Sequence, residues 1–592
     1  MNQRDALAFL SVVALIGSIF LLVTASMGTA SQGEPLRFEI ELSPAAFEGV
    51  AELGLETPIT GRAFVIVTRD DGREPRAQAR YTGVPLWAKD VADLQPGDSF
   101  VIDSSDAAVI GYPLEEFSEL PADDYFVQAF LNVYTTFHRA DGSVVQMHLN
   151  SGAGQSMFRA PGNAHSAVQQ VRLDPAVTGT VQLNLSEVIP PIEPLGEGDV
   201  LQQGNPPDGR LVKFVKIQSK VLSEFWGRPI YIGANLLLPA GYESNPEVRY
   251  PVAYMQGHFP GRRAPFSFRE PGTEDAQGDP RRGGRSAGFS EFWMSDEAPQ
   301  LIGVSFRDAN PYYDTSYSVD SANVGPYGTA LTEELIPYLE DQFRMIPESW
   351  GRVLAGGSTG GWEALAMQIF YPDYFGGTWG WCPDPVDFHY YQIADIYDDD
   401  NAYWLDRGWI KIERPNTRRT DGNITSTMRM ENLFEHVVGP DSRSGGQWAI
   451  WEATFGPVGP NGFPWPIWDH LTGDIDHEVA EYWREHFDLN SYLQQEWSSI
   501  GPSLRGKIHV AVGDMDTYYL EQAVYLLEEF LQSVDPPAEA TFEYGRKKPH
   551  CWTGYSPVRP GEDLNNQEFL RIIADHMARN APPGTDISGW YR

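Results

Sequence analysis

The chain is poor in cysteine and in positive charge. Only two of its 592 residues are cysteines, Cys382 and Cys551. Two thiols exclude a disulfide framework and a cysteine-rich zinc or iron–sulfur site, and leave room for one bridge. Lysine and arginine together number 43 against 81 aspartates and glutamates, a formal net charge of −38. A surface this acidic repels phosphate backbones, so nucleic-acid binding would need a local basic stripe. There is none: the richest basic run, Arg262-Arg263 followed by Arg281-Arg282 and Arg285, lies in a Gly/Pro-rich loop. The excess acid reads as solubility. An acidic knot at Asp395 and Asp398-Asp399-Asp400 lacks the spaced Asp/Asn/Gly pattern of a calcium loop and reads as solvated. No internal repeat is visible, and no metal or cofactor site is expected.

What is present is enough for a full-sized core. Apolar residues make up 42% and aromatics 12% of the chain, which excludes global disorder and suits two or three domains. Residues Ala6 to Ala25 form an uninterrupted apolar or small-residue run, with Arg4 before it and Gly28-Thr29-Ala30 after it. That is the grammar of an export signal cleaved after Ala30. The run is also long enough to span a bilayer, so an uncleaved membrane anchor is the alternative. Either way the rest of the chain is expected outside the cytosol, in the periplasm or the extracellular space.

Residues 36–186 alternate in short stretches. Leu36, Phe38, Ile40 and Leu42 share one face, with Arg37, Glu39 and Glu41 on the other, the period of a half-buried strand. Similar runs at 63–68, 99–102, 125–136, 144–149 and 179–185, divided by polar turns, predict an all-β, sandwich-like domain. A Pro/Gly-rich linker follows at 187–210. From 211 to 585 the grammar changes to compact apolar strands (250–256, 301–306, 352–355, 376–380, 507–512) alternating with helices, among them 328–344 and 359–371. This predicts a doubly wound, mostly parallel α/β sheet.

The chemistry concentrates at Gly356-Gly357-Ser358-Thr359-Gly360. A serine on a tight strand-to-helix turn projects its hydroxyl into open space, and glycines flank it because the backbones crowd there. The same pentapeptide pattern recurs at Gly284–Gly288, but no strand precedes Ser286, which reads as loop. Ser358 follows a strand and opens a helix. Its base and orienting acid should come from later loops, in the order serine, acid, histidine. Asp514 and Asp516 follow the strand 507–512, and His550 follows the run 541–544. Asp516 is preferred as the acid because it sits further into its loop. The oxyanion of a tetrahedral intermediate would be met by the backbone N–H of Thr359 and by that of His258 or Phe259, in the loop after 250–256.

Residues 323–385 carry a helix bearing Glu334-Leu-Ile-Pro337, then Gly-Gly-Ser-Thr-Gly-Gly-Trp, then Tyr-Pro-Asp-Tyr-Phe. This stretch resembles the esterase branch of the α/β-hydrolase superfamily that includes enterochelin, feruloyl and acetyl-xylan esterases, S-formylglutathione hydrolases and antigen-85 mycolyltransferases. The resemblance covers roughly residues 210–580 and implies an α/β-hydrolase fold with Ser358 as nucleophile, His550 as base and Asp516 as acid. One departure concerns the oxyanion loop. The family usually reads His-Gly there and this chain reads Gly257-His258, so His258 and Phe259 both remain candidates.

About 120 residues separate the strands 376–380 and 507–512, far above an ordinary connection. The insertion, about 386–506, holds Trp404, Trp409, Trp448, Trp451, Trp465, Trp468, Trp483 and Trp497, eight of the 17 tryptophans. It is expected to stand over the nucleophile as a cap, its rings either facing an aryl or sugar substrate or forming the core of a small subdomain. Cys382 and Cys551 should both lie near the catalytic edge, where in an oxidising compartment a bridge between them would pin the histidine loop. The expected activity is hydrolysis of a small-molecule or carbohydrate ester by an exported serine hydrolase. The alternatives are an acyltransferase using the same acyl-enzyme and a non-catalytic envelope protein on a hydrolase scaffold.

Overall fold

The apolar runs without alternation form the central sheet of the C-terminal unit. The computed structural model describes residues 34–149, 156–196, 199–258, 263–270 and 288–590. The segment 1–30 expected to be a leader, Ser286 and Phe259 lie outside the described residues. Eight strands make the sheet: β1 (Val212–Ser219), β2 (Ile230–Leu237), β3 (Val252–Gln256), β4 (Ile302–Arg307), β5 (Arg352–Gly357), β6 (Gly377–Trp381), β7 (Ile508–Gly513) and β8 (Thr541–Gly545). Their order is β1-β2-β4-β3-β5-β6-β7-β8. β2 runs antiparallel to both β1 and β4, and all other neighbours are parallel. Ligand sites on such sheets lie beyond the carboxyl ends of the strands.

The helix Thr359–Phe370 follows β5 and is buried from Thr359 to Ile369, as expected of a helix wedged between a sheet and a further layer. Helix Leu489–Leu504 packs against it. The helix expected over 328–344 is interrupted. A π-turn at Ala330–Leu335 separates Tyr327–Thr329 from Ile336–Gln342. Pro337 has no N–H for the carbonyl of Glu333 and its ring would crowd that carbonyl. Widening the preceding turn relieves both problems.

The N-terminal region is β-rich, but its ten strands between Glu34 and Val188 join in one curled hydrogen-bonded network rather than two facing sheets. It also contains a helix, Pro44–Glu52, whose N-terminus Ser43 caps by accepting from Ala46 N–H at 3.1 Å. The network holds together because one 16-residue strand, Asp123–His138, pairs with four others. The sheet curls around Phe38, Ile40, Trp87 and Phe117, all buried.

This region is stapled to the α/β unit at two places. The hairpin of Asp123–His138 with Val144–His148 buries Phe137, Val145 and Met147 in the α/β core, where Phe137 meets Trp226 edge-on at 5.1 Å. At the same seam Gly227 adopts φ 67°, and a Cβ there would stand 2.1 Å from the carbonyl oxygen of His138, so only glycine fits. The second junction is polar. Buried Arg62 donates from Nε to the carbonyl of Val437 (2.9 Å) and pairs with Asp90 (2.6 Å), whose other oxygen receives Arg443 (3.0 Å). A buried guanidinium survives only with its charge paired in this way. The stretch expected as a linker, 187–210, holds a short hairpin, Leu195–Gly196 with Asp199–Gln203.

Between β6 and β7 the chain forms two hairpins, Trp404–Asp406 with Lys411–Glu413 and Pro415–Arg418 with Ile424–Thr427. Four helices follow: Met428–Val438, Gln447–Phe455, His477–His486 and Leu489–Leu504. Most of its tryptophans are core. Trp448, Trp451, Trp468 and Trp483 surround Tyr391 at ring separations of 5.6, 5.1, 5.8 and 5.3 Å. Trp409 is 99% exposed. Among the described residues no helix is long and apolar enough to cross a membrane.

Candidate active site

β5 delivers Ser358 at a strained turn. Its φ/ψ of 59°/−125° lies where side chains other than glycine are rare, and it persists because the surrounding backbone fixes it. A Cβ on Gly356 would stand 2.2 Å from the carbonyl oxygen of Gly360, and one on Gly360 would stand 2.3 Å from that of Gln256 at the end of β3. The backbones therefore touch, and the serine side chain is turned toward a cavity of about 580 Å³. The amides of Gly361 and Trp362 donate to the Ser358 carbonyl (2.8 and 3.1 Å), anchoring the helix start behind the hydroxyl.

His550 lines the same cavity. Its Nδ1 lies 2.9 Å from Oδ2 of Asp516, a fully buried carboxylate whose Oδ1 accepts from the Tyr518 amide at 2.8 Å. The competing acid, Asp514, faces away and accepts from the amide of Lys547. The structure thus brings Asp516, not Asp514, to the histidine. Burial works to lower the pKa of His550, but hydrogen bonding and charge from Asp516 and Cys551 outweigh it and push the value up to about 10.

Ser358 Oγ donates to Oδ1 of Asp384 at 3.3 Å. This second carboxylate, in the loop after β6, was missed by sequence reasoning. Its other oxygen accepts from Tyr317 (2.6 Å) and from Thr359 Oγ1 (3.0 Å), and burial raises its pKa. Nothing in the local pattern Trp381-Cys382-Pro383-Asp384-Pro385 marks it except its place at the carboxyl end of a sheet strand.

Of the oxyanion candidates, Thr359 is buried at the helix start directly after Ser358. His258 also lies at the cavity, with its imidazole stacked on Tyr313 (5.9 Å between centroids) and its Nδ1 3.9 Å from Asp314. Burial, helped by the charge of His550, lowers its pKa to about 4, so the ring is neutral at ordinary pH.

Cys382 and Cys551 are free thiols here, so no bridge joins them. Their sulfurs and a ring nitrogen of His550 lie within 4.8 Å of one another. A second group, Asp387, His389 and Asp488, is already used in hydrogen bonds: Asp488 accepts from the amides of Phe388 and Ser491 and from Tyr397, and Asp387 accepts from Asn490.

Residues 229–379 match the family model described as "Putative esterase". A curated relative, the uncharacterized protein YjcH of Bacillus subtilis (strain 168), is 27% identical over 124 residues, which is 21% of this chain and 50% of that protein. The match thus spans half the length of that relative. Among solved structures, a ferulic acid esterase is 16% identical, with 62% of this chain and 99% of that chain covered and a TM-score of 0.34. An S-formylglutathione hydrolase from Agrobacterium tumefaciens is 12% identical (66% and 98% covered, TM-score 0.31). The fluorophosphonate-binding serine hydrolase FphF of Staphylococcus aureus is also 12% identical (62% and 98%, TM-score 0.33).

Proposed function

We propose that this chain, whose α/β unit carries a domain of the esterase family, is an exported serine hydrolase that cleaves carboxylic esters through an acyl-enzyme on Ser358. The observation that carries the reading is geometric: a strained Ser358 and a His550 held at Nδ1 by buried Asp516 line one cavity. In the proposed reaction Ser358 Oγ turns from Asp384 toward His550 Nε2, gives up its proton there and attacks the ester carbon. Asp516 keeps the imidazole in the Nδ1–H tautomer and stabilises the imidazolium that forms. The oxyanion receives the amide of Thr359 and a second amide, that of His258 or Phe259. His550 then protonates the departing alcohol, and water repeats the sequence in reverse to free the acid. The insertion between β6 and β7 acts as the cap, with Trp448 and Trp451 as the members of its aromatic cluster that reach the cavity. Export rests on the apolar run Ala6 to Ala25 behind Arg4.

A fluorophosphonate probe tests this directly. The wild type should be labelled at one serine and Ser358→Ala not at all, with p-nitrophenyl acetate turnover falling by at least about 10³-fold. Labelling that survives in Ser358→Ala would overturn the assignment, and absence of labelling in the wild type would favour the binding-protein reading. Adding an acceptor alcohol and measuring transesterified product against free acid separates hydrolase from acyltransferase.

A further inference from the structure

The cavity at Ser358 is larger than an ester bond requires, and one of its walls comes from outside the α/β unit. Arg80 and Tyr81, and then Ser156, Met157 and Phe158, reach it from the N-terminal β-region. These positions are firmly held. The phenol of Tyr112 donates to the Tyr81 carbonyl at 2.5 Å, and Arg76 donates to the Phe158 carbonyl at 2.5 Å. Phe158 packs against Phe64 and Phe130 at 5.4 and 5.0 Å. The same apolar cluster includes Val437 and Val438 of helix Met428–Val438, and Phe434 of that helix meets Tyr112 at 5.6 Å. The β-region therefore builds one wall itself and braces the helix that carries another.

The chemistry at this wall is specific. Among largely apolar neighbours the cavity presents the phenols of Tyr81 and Tyr518 and the carboxyl of Glu431. Glu431 is half-buried and accepts from the Asn416 amide. Burial, with Glu435 nearby, pushes its pKa up to about 8, so at neutral pH it is a hydrogen-bonding acid rather than an anion. The other titratable side chains of the lining are Asp384, Glu435, His258, His550 and Cys551, together with Arg80, which is exposed. Phenols and a neutral acid in an apolar setting recognise hydroxyl groups and penalise charge, because a buried polar group left unpaired is costly.

We infer that the N-terminal β-region completes the substrate site: Tyr81 and Phe158, facing Tyr518 and Glu431, bind an uncharged, hydroxyl-bearing group on the part of the substrate remote from the ester bond. The inference rests on the esterase reading of Ser358. A site built around hydroxyl recognition rejects the analogue that lacks the hydroxyl.

The test uses the full mature chain and three p-nitrophenyl esters sharing one leaving group: acetate, 3-phenylpropanoate and 3-(4-hydroxyphenyl)propanoate. The wild type should prefer the hydroxylated ester over its parent by about tenfold or more in kcat/KM. Tyr81→Phe should reduce that ratio by about tenfold, mainly through KM, and by more than it alters acetate turnover. Phe158→Ala should weaken both aryl esters relative to acetate. Equal kcat/KM for the two aryl esters in the wild type, or an unchanged ratio in Tyr81→Phe with Tm preserved, would overturn the inference while acetate turnover keeps the esterase reading intact. A wild type inert toward all three esters would instead remove the esterase reading, and the inference with it.

Discussion

At the scale of single residues, the unusual feature is a thiol against the imidazole of His550. Cys551 follows His550 at φ 58°, and Cys382 faces it at φ 39°, both outside the regions where side chains normally sit. The hydrogen bond from Cys382 and the neighbouring His550 lower the pKa of Cys551, while burial raises that of Cys382. A thiolate beside the ring stabilises the imidazolium and so raises the pKa of His550. In the proposed reaction His550 must be neutral to accept the Ser358 proton, so activity should be lost as pH falls through its pKa. Cys551→Ser should therefore move the acidic limb of the kcat/KM–pH profile downward by about one unit or more and raise relative activity near pH 6. A limb that stays where it is would mean the sulfur carries no charge. Of this constellation, Ser358, Asp516 and His550 could be named from the sequence because each follows a strand of the sheet. Asp384 could not: an aspartate between two prolines has no local signature, and its meaning depends on β6 ending beside β5.

At the scale of elements, the decisive contact is the crossing of the Ser358 turn over the end of β3. Gly360→Ala would place a methyl 2.3 Å from the oxygen and 2.5 Å from the carbon of the Gln256 carbonyl, and neither backbone has room to yield. The helix start must then retreat, taking the Thr359 amide out of reach of an oxyanion. Loss of one such donor costs about 10²-fold or more in kcat, so Gly360→Ala should show at least that fall together with a Tm several degrees lower. Wild-type kcat in this variant would refute the assigned geometry. The strands of the α/β sheet were legible because continuous apolar runs bounded by turns have few alternatives when both faces are covered. The β-region was less so. Leu86–Leu94 escaped notice because Lys89 and Asp90 interrupt its apolar pattern, Asp90 being recruited to the Arg62–Arg443 junction. The helix Pro44–Glu52 is short, and its Ser43 cap could equally have read as a turn. Curling into one network depends on which strands pair across long separations, and alternation fixes only the faces.

At the scale of the whole molecule, two kinds of acid act in the same direction. The net charge of −38 makes the folded surface repel itself, a cost that grows as carboxyls ionise and shrinks with salt. Inside, Asp308, Glu363 and Glu435 are buried and Glu431 is half-buried, and loss of solvent raises the pKa of each. Asp308 and Glu363 share the hydroxyl of Thr315 beneath the nucleophile helix. For Glu431 the folded value is about 8 against an ordinary value of 4.5. Between those values the folded chain keeps a proton that the unfolded chain has released, so stability falls as pH rises. The contribution is complete below about pH 4.5 and is gone above about pH 8. Thermal unfolding should accordingly show a Tm at pH 5.5 several degrees above that at pH 8.5, with added salt recovering part of the difference. Glu431→Gln keeps the shape and removes the ionisation, so it should match the wild type near pH 5 and exceed it near pH 8.5. A Tm that rises with pH in the wild type, or a glutamine variant with an unchanged slope, would show that these carboxyls ionise freely in the folded state and that the neutral acid in the substrate cavity is instead an anion.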